Sequence, residues 1–177
     1  MKRILALAGS NHSRSINHQL VTFAASLIED AEVTVLDLRS WDIPVYSIDM
    51  DPDQTPGRIT FLIGQLDQYD GFILASPEHN GGPSAFLKNI FDWLTRRSQK
   101  VMDGKPLVLM ATSTGRGGAA KHLPYLEGAL PRLGANVVAT YSLPSFNHTM
   151  VDGQLSGEPL AELQSRLDTL LAAVHQA

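Results

Sequence analysis

Three apolar runs, each closing on a loop of glycines and hydroxyl residues and each followed by a helical pattern, constrain this chain more than any other feature. They are Ile4–Ala8, Gly71–Ala75 and Leu107–Ala111. None has a polar face, so each reads as a strand buried on both sides. A single Gly/Ser loop is an ordinary turn. Three at the same end of three buried strands mark one edge of a sheet, and open α/β sheets take their ligands at the carboxyl ends of their strands.

The first loop is Gly9-Ser10-Asn11-His12-Ser13-Arg14-Ser15-Ile16-Asn17, leading into a helix predicted from about Ile16 to Glu29. Unpaired amides in the first helical turn carry partial positive charge and make a cradle for an anion such as phosphate. Ser10, Ser13 and Ser15 offer hydroxyls, and His12 or Arg14 offers charge. Ser13 or Ser15 serves equally well as a plain helix cap. The second loop is Ser76-Pro77-Glu78-His79-Asn80-Gly81-Gly82-Pro83-Ser84, before a helix from Ala85 to Arg96. Its glycines let backbone approach a flat ligand, its prolines stiffen it, and Ser84 can cap the helix. The third is Thr112-Ser113-Thr114-Gly115-Arg116-Gly117-Gly118, before a helix expected from about Ala119 to Leu133.

The rest of the chain alternates in the same way. Glu32–Leu38 reads as a second strand, Asp42–Pro56 as a loop rich in Asp and Pro, and Arg58–Gln68 as a helix. Asn136–Ala139 opens a fifth strand, and a last helix runs from about Glu158 to Ala173. The 177 residues suit one domain, 1–177. Strand–helix alternation predicts an α/β fold, a three-layer sandwich around a five-stranded parallel sheet. The flavodoxin-like order 2-1-3-4-5 puts the first and second loops side by side at the switch point.

At these loops the chain resembles the NADPH-dependent FMN reductase family, the flavodoxin-like quinone, azo-dye and chromate reductases. The resemblance rests on Gly9-Ser10 with Ser15 and Asn17, on Pro77-Glu78-His79-Asn80-Gly81 running into Leu87-Lys88-Asn89 and Asp92-Trp93, and on Ser113-Thr114-Gly115-Arg116-Gly117-Gly118 with Leu133-Gly134-Ala135. It covers nearly the whole chain. It implies a bound FMN with its phosphate on Ser10, His12, Ser13, Arg14, Ser15, Ile16 and Asn17. Its ring would lie against Pro77, Glu78, His79, Asn80 and Gly81, and against Ser113, Thr114, Gly115, Gly117 and Gly118. NADPH or NADH would donate hydride, and a small-molecule acceptor would follow in ping-pong order, with no catalytic side chain required. Relatives pair through the helix after the second loop, which implies a homodimer or homotetramer. Phe86, Leu87, Ile90, Phe91, Trp93 and Leu94 give that helix a wide apolar surface. The chain departs from the family at His12, where many relatives have arginine, at His79, commonly tyrosine, and in a third loop one residue shorter.

Composition narrows the alternatives. A net charge of −4 leaves no electrostatic footprint for nucleic acid. No run is long enough for a membrane span, and the leading Met1-Lys2-Arg3 run is too short for a signal peptide; a cytoplasmic protein is expected. There is no cysteine. Asp49-Met50-Asp51-Pro52-Asp53 has a calcium-loop look, but Gln54 and Thr60 stand where glycine and glutamate are needed, so it reads as a solvated loop. The histidines show no metal-ligand spacing; His18, His122 and His175 read as surface residues. Trp93 reads as core or interface, and Glu78 as a loop brace rather than a proton relay. Ser113 lacks the Gly-x-Ser-x-Gly frame of a hydrolase, and the first loop lacks the Lys-Ser/Thr ending of an NTPase loop. The rival functions are a flavodoxin-like electron carrier without enzymatic activity and a flavin-binding regulatory module that meets a partner through Asp42–Pro56.

Overall fold

The alternation of the three buried runs is realised as a five-stranded parallel sheet in a computed structural model that describes residues 1–51, 53–98 and 100–176. The elements are β1 (Arg3–Ala8), α1 (Ile16–Ser26), β2 (Glu32–Leu36), α2 (Gly57–Asp67), β3 (Gly71–Ala75), β4 (Glu78–His79), β5 (Gly82–Pro83), α3 (Ala85–Arg97), β6 (Pro106–Thr112), α4 (Leu123–Ala129), β7 (Asn136–Leu143), α5 (Phe146–Thr149) and α6 (Gly157–Gln176). Strand order is β2-β1-β3-β6-β7, the predicted order once the two-residue strands β4 and β5 are set aside. β1 pairs with β2 on one side and β3 on the other, so the switch point falls between the loops after β1 and β3.

Side chains alternate across the sheet with the period of a strand. Leu5, Leu7, Phe72, Leu74, Leu107 and Leu109 face a core closed by α2, α3 and α4. Ile4, Ala6, Ile73, Ala75, Val108 and Met110 face a second core closed by α1 and α6. Both faces are covered, which is why the strands read as continuous apolar runs. No described helix is long and apolar enough to cross a membrane.

The structure corrects several expectations. The helix expected from Ala119 to Leu133 is instead three short pieces: a 3₁₀ turn at Ala120–His122, α4, and a 3₁₀ turn at Leu130–Leu133. Pro124 and Pro131 each begin a new piece, since proline lacks the amide that a continuous helix needs. α1 ends at Ser26 rather than Glu29, and β2 at Leu36 rather than Leu38. The second loop contains a small hairpin, β4 with β5. Asn80 and Gly81 have φ of 55° and 82°, the left-handed pair of a tight two-residue turn that Asn-Gly favours.

Part of the wide apolar surface of α3 is covered within the chain. Trp93 is wholly buried, donates its indole N–H to Pro44 O at 2.9 Å, and meets Tyr46 edge to face at 5.1 Å. Asn89 accepts from Tyr46 N (2.8 Å) and donates to Pro44 O (3.0 Å). The segment before α2 therefore covers the second apolar strip of α3 within one chain. Asp51 pairs with Arg97 of the same helix; Pro52, in the calcium-like stretch, lies outside the described residues.

Gly9 is where β1 leaves the sheet, and its backbone lies against α3. A Cβ there would fall 2.6–2.7 Å from three carbons of Leu87. Gly9→Ala should lower stability by about 1–3 kcal/mol, the usual cost of overpacking. Combining it with Leu87→Ala should cost less than the sum of the two single changes, as read by urea denaturation. Simple additivity would show that the two residues do not meet.

Candidate functional site

The loops after β1, β3 and β6 converge on one cleft of about 580 Å³ at the carboxyl edge of the sheet. Its walls are Ser10, Asn11, His12, Arg14, Ser15, Ile16 and Asn17 from the first loop, Pro77, Glu78, His79 and Ser84 from the second, and Thr112, Ser113 and Thr114 from the third. The cleft has the size and position of a cofactor site.

The first loop is held by its own side chains. Ser10 Oγ accepts from His12 N at 3.2 Å, and His12 Nδ1 accepts from Arg14 N at 3.0 Å. Ser15 caps α1 by accepting from His18 N at 3.1 Å, leaving the amides of Ile16 and Asn17 at the open end of the helix. His12 Nδ1 is thus engaged within the turn. That leaves Arg14 as the guanidinium on the loop. From outside, Arg39 donates to Ser13 O at 2.9 Å while its side chain grips Asp37 through Nε and Nη2. That grip holds the Asp37 carboxyl well below the usual carboxylate range.

Asn17 lines the cleft, and its side chain is bonded to the protein. It is buried, its Oδ1 accepts from Thr112 N (3.1 Å) and its Nδ2 donates to Thr112 O (3.2 Å). This two-bond clamp locks the first loop to the end of β6. Ser84 ties the first loop to the second, donating to Gly9 O at 2.6 Å while capping α3 at Leu87 N (3.0 Å).

Of the residues expected at the site, Ser13, Asn80, Gly81, Gly115, Gly117 and Gly118 do not line this cleft. Ser13 contributes a carbonyl to Arg39. Asn80 and Gly81 form the hairpin tip. Gly118 has φ of 57°, and a Cβ there would lie 2.4 Å from Ser142 Oγ and 2.9 Å from Pro144 N, so close packing demands it. Gly117 borders a second cavity of about 280 Å³ with Glu78, Ser113, Ala119 and Lys121. Asn11, Ser84 and Thr112 line the cleft without having been singled out as ligand contacts. All three sit inside the loops already identified.

His122 overturns the surface reading given to it. It is fully buried, with Nδ1 2.7 Å from Ala119 O and Nε2 2.8 Å from Ser76 Oγ. Burial pushes its pKa down, against smaller upward pulls from the Ala119 carbonyl, Glu78 and Ser76. Glu78 Oε2 is 3.7 Å from Nδ1, and with a neutral imidazole the two are not an ion pair. His18 is half-buried and His175 exposed.

Residues 2–148 match the family described as NADPH-dependent FMN reductase. The chain belongs to that family. Membership makes it an NAD(P)H-dependent oxidoreductase of flavodoxin-like fold that uses FMN. The chain is 31% identical over 169 residues to the NADH:(hydroxy)cinnamate reductase subunit CrdA of Vibrio ruber, covering 90% of this chain and 80% of that one. It is 32% identical over 138 residues to the quinone reductase of Escherichia coli K12, covering 77% and 73%. Among solved structures, FerB from Paracoccus denitrificans, a flavoenzyme NAD(P)H:(acceptor) oxidoreductase, is similar with a TM-score of 0.78 and 26% identity over 99% of this chain and 98% of that one.

The buried neutral imidazole carries a pH dependence. In the unfolded chain His122 titrates near about pH 6.5, and in the folded protein lower. As pH falls, the unfolded state takes up the proton first, so stability is complete above about pH 6.5 and is lost toward the folded pKa. Denaturation at pH 7.5 and 5.5 should show this loss. It should shrink in His122→Asn, which keeps a polar group without a titrating proton. An equal loss in both proteins would assign the effect to other groups, His18 among them, whose pKa burial and Arg39 also push down.

Proposed function

We propose that this cleft is the FMN site of a one-domain reductase spanning 1–177, and that the enzyme passes hydride from NADPH or NADH to quinone-like acceptors. The observation that carries the reading is the polarity of the cleft. One end holds the open terminus of α1 with Ser10, Arg14 and Ser15. The other is walled by Pro77, Glu78, His79 and Ser113. A terminal phosphate fits the first and a planar ring edge the second. Bound flavin supplies the redox chemistry. The protein's part is to hold it: Arg14 and the α1 amides take the phosphate, and the amides around His79 and Ser113–Thr114 meet the ring edge. Of the remaining residues assigned to the cofactor, Asn17 and Gly118 act by fixing loop geometry, and Asn80 and Gly81 by turning the hairpin.

Donor and acceptor take turns at one open side of the cleft, a ping-pong order. His79 is exposed there, and no Trp, Tyr or Phe lines the cleft among the described residues. That openness favours an enzyme over a carrier, which encloses its ring. The acceptor named for the Escherichia coli relative, a quinone, is flat enough to enter on the same side. A reduced nicotinamide donor fits a cytoplasmic setting. A homodimer or homotetramer fits the exposed Val45 and Ile48 on the segment covering α3, 81% and 76% accessible; light scattering showing a monomer at micromolar concentration would remove that part of the reading.

The purified protein should release FMN on heating and should oxidise NAD(P)H with a quinone in the absence of any partner reductase. Release of mainly FAD, or flavin binding without turnover, would refute the proposal in its cofactor or its activity respectively. Arg14→Ala should weaken FMN about tenfold, as the loss of a charge-assisted hydrogen bond does, and leave riboflavin affinity unchanged. His12→Ala should cost less. Equal losses for both flavins would place Arg14 away from the phosphate.

A further inference from the structure

His122 lies behind the wall of the cleft and belongs to none of the roles above. Its two nitrogens bond to two different loops. Ala119 O can only accept, so Nδ1 carries the hydrogen and donates to it across 2.7 Å. Nε2 then presents a lone pair, and the Ser76 hydroxyl donates to it across 2.8 Å. Ser76 is itself fully buried, its amide donates to Met110 O at 2.8 Å, and it directly precedes the Pro77-Glu78-His79 wall. Ala119 sits in the left-handed region, φ 61°, where the third loop turns into α4's approach. Gly118 beside it is pinned by Ser142 Oγ donating to its carbonyl at 2.9 Å. The imidazole is thus a two-ended strut between the end of β3 and the exit of the loop after β6. Ala119, one end of the strut, lines the second cavity, and Ser76, the other, lies two residues before Glu78, which lines both cavities.

We propose that His122 is a positioning residue for the flavin: through Ser76 and Ala119 it sets the separation of the second and third loops, and so the fit of the ring edge between them. This role rests on the FMN reading of the cleft. A leucine would fill the same volume but could link nothing. The cost of a histidine in a dry interior is repaid only because both nitrogens are bonded.

The test uses the whole protein in apo and FMN-loaded forms. Two-bond ¹H–¹⁵N NMR on the unmodified apoprotein at neutral pH should show the Nδ1–H tautomer; an Nε2–H tautomer or an imidazolium would overturn the strut. Three substitutions then divide the two ends. His122→Asn keeps a polar group at the Nδ1 position and loses Ser76. His122→Gln keeps one at the Nε2 position and so keeps Ser76. Ser76→Ala removes only the hydroxyl. His122→Asn and Ser76→Ala should each weaken FMN about tenfold, the order expected when one buried polar group is left unpaired. His122→Gln, which keeps the Ser76 end and loses the Ala119 end, should weaken FMN likewise, and all three variants should shift the flavin's midpoint potential and visible spectrum at saturating FMN. A merely structural histidine would lower apoprotein stability in all three variants and leave the potential of the loaded protein where it was, which would overturn the proposal. Should the histidine variants fail to fold, Ser76→Ala and the tautomer of the unmodified protein decide it. A parent that takes up no flavin removes the cleft reading and this role with it. A parent that binds FMN alongside variants that match it removes this role alone.

Discussion

The Ser84 hydroxyl joins the parts on which the site depends. It donates to Gly9 O and accepts from Leu87 N, so one oxygen closes the first loop against the second and starts α3. Gly9 makes this possible, since any Cβ would strike Leu87. The two loops are neighbours because β1 and β3 are neighbours, and the switch in strand order leaves the gap between them open. Asn17 repeats the arrangement between the first loop and β6, and His122 between the second loop and the third. Each pair of adjacent loops is therefore fixed by one buried polar side chain bonded at both ends. Such groups are costly to bury unless fully paired, and once paired they rigidify.

Much of the fold was legible. Buried parallel strands leave a strong trace, because both faces must be apolar, and β1 and β3 run over the residues the pattern indicated. The break-up of the segment after the third loop was also written in the chain, at Pro124 and Pro131, although Leu123, Leu126, Leu130 and Leu133 keep a helical spacing across it. That spacing survives in the structure, with all four residues buried, because short turns in series can keep one face inward without a continuous helix. The hairpin was signalled by Asn80-Gly81, a pair whose left-handed preference is specific enough to have been used.

The site was legible as loops and less so as side chains. Sequence places a residue in a loop but does not say which way it points. Asn17 lines the cleft while its side chain bonds to Thr112, and Gly118 is demanded by Ser142 and Pro144. His122 was read as a surface residue alongside His18 and His175, since no metal-ligand spacing claimed it. Only the tertiary fold supplies its two partners, 3 and 46 residues away. Part of the apolar face of α3 is covered within the chain by the loop before α2, whose pattern predicts no element, through Pro44 and Tyr46.

These particulars explain a division of labour in the cleft. Redox chemistry on a flavin needs no nucleophile and no acid–base pair, so the chain is free to spend its polar side chains on geometry. That is where they are found: Ser10, Ser15, Asn17, Ser84 and His122 each bond to the protein itself. What the cleft offers a ligand besides these is backbone amide, the end of α1, the Arg14 guanidinium and the side chains of Asn11, Glu78, His79 and Thr114. A phosphate and a ring edge can bond to such groups, but a substrate entering the open side meets few side chains that discriminate by shape. On the proposed reading, tolerance toward acceptors would follow from that arrangement, with selectivity falling to His79, the exposed residue on the rim. The parts of the wall that must not move are tied from behind, out of reach of the acceptor. If the cleft holds flavin as proposed, changes on the rim would alter what is reduced without loosening what holds the cofactor.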